Sequence, residues 1–331
     1  MKNRKTVLVP HFMTQAGLQV LRARPDIETV VYPASIAPEP FRLLLPDASG
    51  VALSATKFGR PEADASPALE LVARIGVGFD AVDIPVLTER RIPLMVVGTA
   101  NSVSVAEHAV FMMMAVGKRA LELHARTRDG LWHDRTSGLP REMAGSTVLV
   151  VGFGRIGSRT APRCAAFGMT VLVYDPYANA ETIAAAGFEL VDDLDAALPR
   201  ADYVTIHCPR NPQTIGMFDA ARLGRMKAGA VLVNTARGGI VDEAALMAAL
   251  ESGHLFGAGL DVPAQEPQGA GNPLLHLPNV LSSPHVAGVT VEAMDAMCVA
   301  TARNILSVID GAPIREHVVN PECFRSDPES E

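Results

Sequence analysis

Cysteine is scarce, and the four present, Cys164, Cys208, Cys298 and Cys323, lie far apart and make no C-x-x-C pair. That spacing argues against a disulfide framework and gives no zinc signature, so a reducing compartment and no bound metal are expected. Positive charge is in deficit as well. Lys and Arg total 29 against 36 Asp and Glu, a net charge of −7, which argues against a protein that grips nucleic acid or an acidic membrane. Long apolar runs are missing. The most apolar segment, 109–117, follows Glu107 and His108 and is far too short to span a bilayer. Its Met112, Met113 and Met114 read as helix core. The basic start at 1–5 is followed only by Val7, Leu8 and Val9 before Pro10, so no signal-peptide core is predicted. Repeats at solenoid spacing and low-complexity tracts are absent too, apart from a polar tail at 325–331. A soluble, cytoplasmic protein is the expectation.

What remains is ordinary globular material: 331 residues, 48% apolar and 20% charged, enough for two domains and a large core. The stretch 148–175 organises the rest. Val148, Leu149, Val150 and Val151 form a continuous aliphatic run, as in a strand buried on both faces of a parallel sheet. Gly152, Gly154 and Gly157 follow in G-x-G-x-x-G spacing, then Ile156, Thr160 and Cys164 about one helical turn apart. A second apolar run ends on Asp175, eighteen residues past Gly157. Strand, glycine turn, helix, strand and acid is the dinucleotide-binding pattern. The glycines let backbone approach the pyrophosphate, the helix N-terminus offers N–H groups, and the acid accepts from the ribose hydroxyls. NAD is the cofactor this predicts.

Further strand-like runs occur at 6–9, 29–32, 50–53, 69–75 and 94–97, with a helix at 14–22. Others fall at 203–207, 230–234, 257–261 and 280–282. Strands alternating with helices predict an α/β protein with parallel sheets. Asn101 and Ser102 can cap a long, mostly buried helix to about Leu123. Residues 126–141 read as a polar arm or linker, and 291–309 as a final helix able to return to the first domain. The predicted division is residues 1–100 with 290–331, interrupted by a dinucleotide-binding domain at 101–289. Ligands are expected in a cleft at the carboxyl ends of the strands.

Four strand ends carry groups that a ketone reduction needs. Arg237 follows one strand, Asp261 and Glu266 the next, and His285 the last; Gly76, Val77 and Gly78 offer backbone N–H groups in the other domain.

With these in hand the chain resembles the NAD-dependent D-2-hydroxyacid dehydrogenases over about residues 6–321. The resemblance rests on Ser104-Val105-Ala106-Glu107-His108, the glycine turn and Tyr174-Asp175-Pro176. It also rests on Asn234 to Gly239 with Asp242, Asp261-Val262, Glu266-Pro267 and Pro284-His285. It implies a Rossmann-type doubly wound sheet interrupting a flavodoxin-like α/β substrate domain, and a homodimer joined through the cofactor domains. It implies Arg237 as substrate anchor, His285 as acid/base and Glu266 as the orienter of that imidazole. Val77 and Gly78 would hold the substrate carboxylate, with Asn101 nearby. Cofactor contacts are implied at Arg155, Ile156, Asp175, Cys208, Pro209, Thr235, Ala236, Asp261, His285 and Gly288, with Asp261 at the nicotinamide carboxamide.

The implied substrate is a small 2-hydroxy acid and its 2-keto acid. Ser54-Ala55-Thr56-Lys57 resembles the phosphoglycerate dehydrogenases of this family, but Leu53 stands where those enzymes place a phosphate-gripping arginine. Glyoxylate and hydroxypyruvate are therefore favoured, with D-3-phosphoglycerate held by Lys57 as the alternative. Glu266 separates the chain from formate dehydrogenases, which carry glutamine there. A corepressor-like NAD-binding protein with little turnover is the alternative of another class.

Overall fold

The structure, a computed structural model, describes residues 4–133 and 135–324; the polar tail at 325–331 lies outside them. The runs at 48–53, 148–151, 203–206, 231–234 and 257–260 become strands buried on both faces between helices, while the run at 27–32 leaves its middle partly exposed. Five strands lie in one sheet: β1 (Lys5–Pro10), β2 (Ile27–Tyr32), β3 (Ala48–Leu53), β4 (Leu71–Arg74) and β5 (Leu94–Met95). Their order is β2-β1-β3-β4-β5, and every pairing is parallel. That order is the flavodoxin-like one.

Seven more make a second parallel sheet: β6 (Thr147–Val151), β7 (Thr170–Tyr174), β8 (Glu189–Leu190), β9 (Tyr203–Ile206), β10 (Val231–Asn234), β11 (Gly257–Leu260) and β12 (Val280–Ser282). They run β12-β11-β10-β9-β6-β7-β8. The order reverses at β6, which is the doubly wound arrangement with its switch point beside the glycine turn. The fold class read from the sequence is the one observed. β8 was not read as a strand, because two residues with one exposed carry no periodic signal.

The chain divides into two compact units, Met1–Asn101 with Thr290–Glu331, and Ser102–Val289. In the first, helices α1 (Gln15–Arg22) and, at the far end of the chain, Val291–Ile309 pack on each other and on one face of the five-stranded sheet. Thr301 Oγ1 donates to the Arg74 carbonyl, and Asn304 Nδ2 to that of Val96. The late helix is thereby hydrogen-bonded to segments some two hundred residues earlier.

In the second unit, helix α2 (Ser102–Gly117) packs Met112 and Met113, both 0% exposed, onto the seven-stranded sheet. The long helix expected to reach Leu123 instead stops at Gly117. The Gly117 carbonyl accepts from Arg141 N at 2.8 Å, and Arg119 turns left-handed at φ 52° before a new helix, Ala120–Arg128. A partner 24 residues away in sequence ends the helix, and no local pattern announces it. The part of the expected arm at 126–128 is helical, and Asp134 lies outside the described residues. Among the described residues no helix is long and apolar enough to cross a membrane.

Candidate active site

The glycine turn is built as its spacing requires. Gly152 leaves β6 at φ 95°, in the left-handed region that a side chain resists, and its N–H donates to Tyr174 O at 2.8 Å. It lies against the backbone of His207 and Cys208, so a Cβ there would collide with Cys208 N. Helix α3 (Gly157–Ala166) begins immediately after the turn. Arg155 is exposed and Ile156 half-buried. At Gly154 a Cβ would meet no atom within 4 Å: the turn keeps a side-chain-free face at a helix N-terminus, the shape a pyrophosphate needs. Asp175, just past β7, accepts from Phe153 N at 2.7 Å through one oxygen and from Tyr177 N at 2.9 Å through the other. Its carboxylate is thus fixed beside the glycine turn.

Past β9 come His207, Cys208 and Pro209. Pro209 O accepts from Thr214 Oγ1 at 2.6 Å. Burial pushes the Cys208 thiol up to about 11 and the His207 imidazole down to about 3. Cys208 is therefore a neutral thiol near pH 7. His207 shares a hydrogen bond with Thr205 Oγ1 at 3.0 Å through Nε2, while its Nδ1 is sealed from solvent with no partner among the described residues. All four cysteines are free.

Past β10, Asn234 shapes the turn that presents Arg237. Its Nδ2 donates to Arg237 O at 2.9 Å and its Oδ1 accepts from Ala236 N at 3.0 Å. Arg237 Nη1 donates to Ala236 O at 2.7 Å, and the side chain is half-buried. Among the described residues the buried Thr235 hydroxyl has no hydrogen-bond partner. Buried hydroxyls are normally paired, so Thr235 suits a bound polar ligand. Together with the open face of Gly154 and the fixed Asp175, this fits a dinucleotide.

Past β11 and β12 the loops are joined by hydrogen bonds that no residue spacing announces. Asp261 is 0% exposed, and its carboxylate is tied to the histidine loop. Oδ1 accepts from Ser283 Oγ at 2.6 Å and Val286 N at 2.8 Å; Oδ2 accepts from Ala287 N at 2.9 Å. The Asp261 carbonyl accepts from His285 N at 2.8 Å. His108 on α2 reaches Ser283 Oγ at 3.0 Å. The resemblance implied an Asp261 facing the nicotinamide; the observed bonds also make it the clamp of the loop at 283–287, which ends beside the half-buried Gly288. His285 sits at φ 54°, a left-handed conformation that costs a non-glycine residue energy and that this clamp sustains. Its Nδ1 meets Glu266 Oε2 at 2.9 Å, with the two side chains 45% and 43% exposed. A fixed carboxylate on Nδ1 leaves Nε2 as the nitrogen free to exchange a proton with a ligand. His108, Asn234 and Ser283 were not singled out as supports. Only their hydrogen bonds reveal them.

The first unit offers a different set. Past β4, Gly76 has φ 144°, and Val77 and Gly78 are half-buried. Arg74 braces this loop: Nε donates to Gly78 O at 2.8 Å and Nη1 to Leu53 O at 3.3 Å. Leu53 itself is 0% exposed, packed in the core. Lys57 is exposed, and nearby Ser54 and Thr56 share a hydrogen bond at 3.2 Å. Asn101 is buried, and its Oδ1 has no hydrogen-bond partner among the described residues.

Residues 110–287 match the family model described as the D-isomer specific 2-hydroxyacid dehydrogenase, NAD binding domain. The chain belongs to the D-isomer specific 2-hydroxyacid dehydrogenase family. It is 38% identical to a D-3-phosphoglycerate dehydrogenase of Archaeoglobus fulgidus over 277 residues, 84% of this chain and 52% of that one. The chain spans about half the length of such relatives. Two solved structures of this shape are the TT0316 protein of Thermus thermophilus and a glyoxylate reductase of Paecilomyes thermophila. The first superposes with a TM-score of 0.87 at 32% identity, covering 95% of this chain and 99% of that one. The second gives 0.85 at 27%, covering 97% and 99%.

Proposed function

We propose that the protein transfers a hydride between NAD and a small D-2-hydroxy or 2-keto acid, with His285 as acid/base, Glu266 as its orienter and Arg237 as the substrate anchor. The observation that carries this reading is the 2.9 Å contact of His285 Nδ1 with Glu266. The open Gly154 turn, Asp175, Cys208, Pro209, Thr235, Ala236, Asp261 and Gly288 would hold the dinucleotide, whose nicotinamide supplies or accepts the hydride. His285 Nε2 gives its proton to the developing alkoxide in reduction and takes it back in oxidation. Glu266 keeps the ring oriented and stabilises its positive charge. Arg237, a planar fork of donors, binds carboxylate and keto oxygen together. Val77 and Gly78 present N–H groups to the carboxylate, with Asn101 beside them.

Glyoxylate or hydroxypyruvate is the substrate class we favour. Leu53 is committed to the core, so that position has no cation to present to a phosphate. D-3-phosphoglycerate is the second reading, favoured by relatives of that name at 38–41% identity and by the exposed Lys57. In favour of a homodimer, four large apolar side chains within one stretch of chain, Leu121, Leu131, Trp132 and Leu139, are exposed, and a partner covering them would bury that surface. The test is kcat/KM with NADH across glyoxylate, hydroxypyruvate, pyruvate and 3-phosphohydroxypyruvate. Highest activity with a small keto acid is expected. A phosphorylated substrate winning would move the conclusion to the second reading, and no turnover with any would overturn both.

A further inference from the structure

We propose that Glu243 is a positioning residue of this site: it fastens the segment that carries Glu266 and thereby sets where that carboxylate meets His285. The inference rests on the reading of His285 and Glu266 as the proton-handling pair.

The segment 264–271, ahead of the short 3-10 helix Pro273–His276, has few other contacts: Gly238 lies against Pro263 and Ala264, His276 Nε2 meets Ala270 O at 3.2 Å, and Asn272 N donates to Gly269 O at 3.1 Å. Ala264, Gln265, Glu266 and Pro267 are exposed, as are Gly269, Ala270 and Gly271. None of them belongs to the hydrophobic core of this unit, which resumes only at Leu274, 2% exposed. A stretch without apolar burial keeps one conformation only through polar contacts, and without them samples many.

Glu243 supplies such contacts at both ends. Its Oε1 accepts from Ala264 N at 2.6 Å, and its Oε2 accepts from Asn272 Nδ2 at 3.2 Å. One carboxylate therefore holds the chain two residues before Glu266 and six residues after it. The anchor is itself rigid. Glu243 opens helix α4 (Glu243–Glu251), which is capped by Asp242 Oδ1 accepting from Ala244 N and Ala245 N. A carboxylate in the first helical turn also lies in the favourable field of the helix dipole. Asn272 is oriented in turn, since its Oδ1 accepts from Leu274 N at 3.0 Å.

The chemistry of the side chain matters more than its size. A carboxylate can accept from two donors at once, one on each oxygen. Glutamine keeps the shape but has one acceptor oxygen, so it can serve Ala264 N or the Asn272 amide and not both. Alanine serves neither. Freed at both ends, the segment lets Glu266 leave the imidazole, and His285 loses its orientation although no atom near the substrate has been changed.

The experiment is a double-mutant cycle. Glu243→Ala, Glu243→Gln, Glu266→Gln and the Glu243→Ala/Glu266→Gln double variant are compared for kcat, KM of a good keto acid and NADH affinity. Glu243→Ala should lower kcat by roughly 10- to 10²-fold, the scale on which a displaced catalytic group loses rate, with NADH affinity kept. Glu243→Gln should fall between. The double variant should be no slower than Glu266→Gln beyond about twofold, because both substitutions remove one orienting contact. If Glu243→Ala does not fold, the same cycle with Glu243→Gln decides. Losses that multiply in the double variant, or a Glu243 variant as fast as the parent, would overturn the proposal. A parent-like Glu266→Gln would instead remove the reading beneath it.

Discussion

The two units each end their parallel strands in loops, and the loops differ in what they offer. In the first unit the end of β4 contributes main chain: Gly76, Val77 and Gly78, braced from behind by Arg74. In the second, the ends of β10, β11 and β12 carry side chains whose loops are held by other side chains: Asn234 bonds the Arg237 carbonyl, Glu243 bonds Ala264 N two residues before Glu266, and Asp261 bonds Val286 N beside His285. Main-chain N–H groups suit what every 2-keto acid shares, its carboxylate. Proton transfer and charge compensation need side chains, and side chains of use must be fixed. Under the proposed function, substitutions at His285 and Glu266 act chiefly on kcat, those at Arg237 on kcat and KM together, and those in the first unit on KM and substrate choice.

The sharpest break of this comparison is His285→Ala. It should lower kcat by roughly 10²- to 10⁴-fold, the usual worth of a positioned acid/base, with KM changed far less. Steady-state rates decide, and turnover near that of the parent would return His285 to a structural role.

Cofactor choice comes next, again in the second unit. Asp175 has a fixed carboxylate, and a 2′-phosphate beside it would place like charges together, costing about 1 kcal/mol at ~4 Å in water and more where partly shielded. Pro176, Tyr177, Ala178 and Asn179 provide no cation in compensation. NADH should exceed NADPH by about 10²-fold in kcat/KM, and Asp175→Ser should narrow the gap mainly by weakening NADH. Equal use by the unaltered protein would mean that Asp175 does not face the ribose.

A smaller effect belongs to the first unit. Lys57→Ala should leave KM for glyoxylate within about twofold, since an exposed lysine is worth under ~1 kcal/mol. The same change should raise KM for a phosphorylated substrate several-fold if that anion reaches it. An equal effect on both would show that Lys57 does not select.

The last effect is on stability rather than activity. His207 in the fold is held down to about 3 by burial, whereas the unfolded chain binds its proton near 6.5. Its contribution is therefore fully present above about pH 6.5 and is lost as pH falls from there toward 3. The slope is at most about 1.4 kcal/mol per pH unit, the limit for one proton. Thermal midpoints from pH 7 to pH 4.5 should fall less steeply in His207→Gln than in the parent. Parallel slopes would mean that the folded imidazole takes up the proton freely.

The fold was legible where its causes are local. Aliphatic runs bounded by glycine and polar turns specify strands through burial, and G-x-G-x-x-G with Asp175 at its spacing specifies a turn that needs glycine at 152 and 157. Arg237, Glu266 and His285 could be picked out because each follows such a run. The end of α2 at Gly117 and the two-residue β8 could not, since Arg141 and a neighbouring strand determine them from a distance. The same divide runs through the site. Sequence named the residues at the strand ends; tertiary structure decided which loops touch. Only there does His285 meet a carboxylate nineteen residues before it and Asp261 clamp the turn that strains it. Glu243 likewise reaches over to hold Ala264 and Asn272. Hydrogen bonds between loops depend on where the strands stop in space, and no residue pattern along the chain encodes that distance.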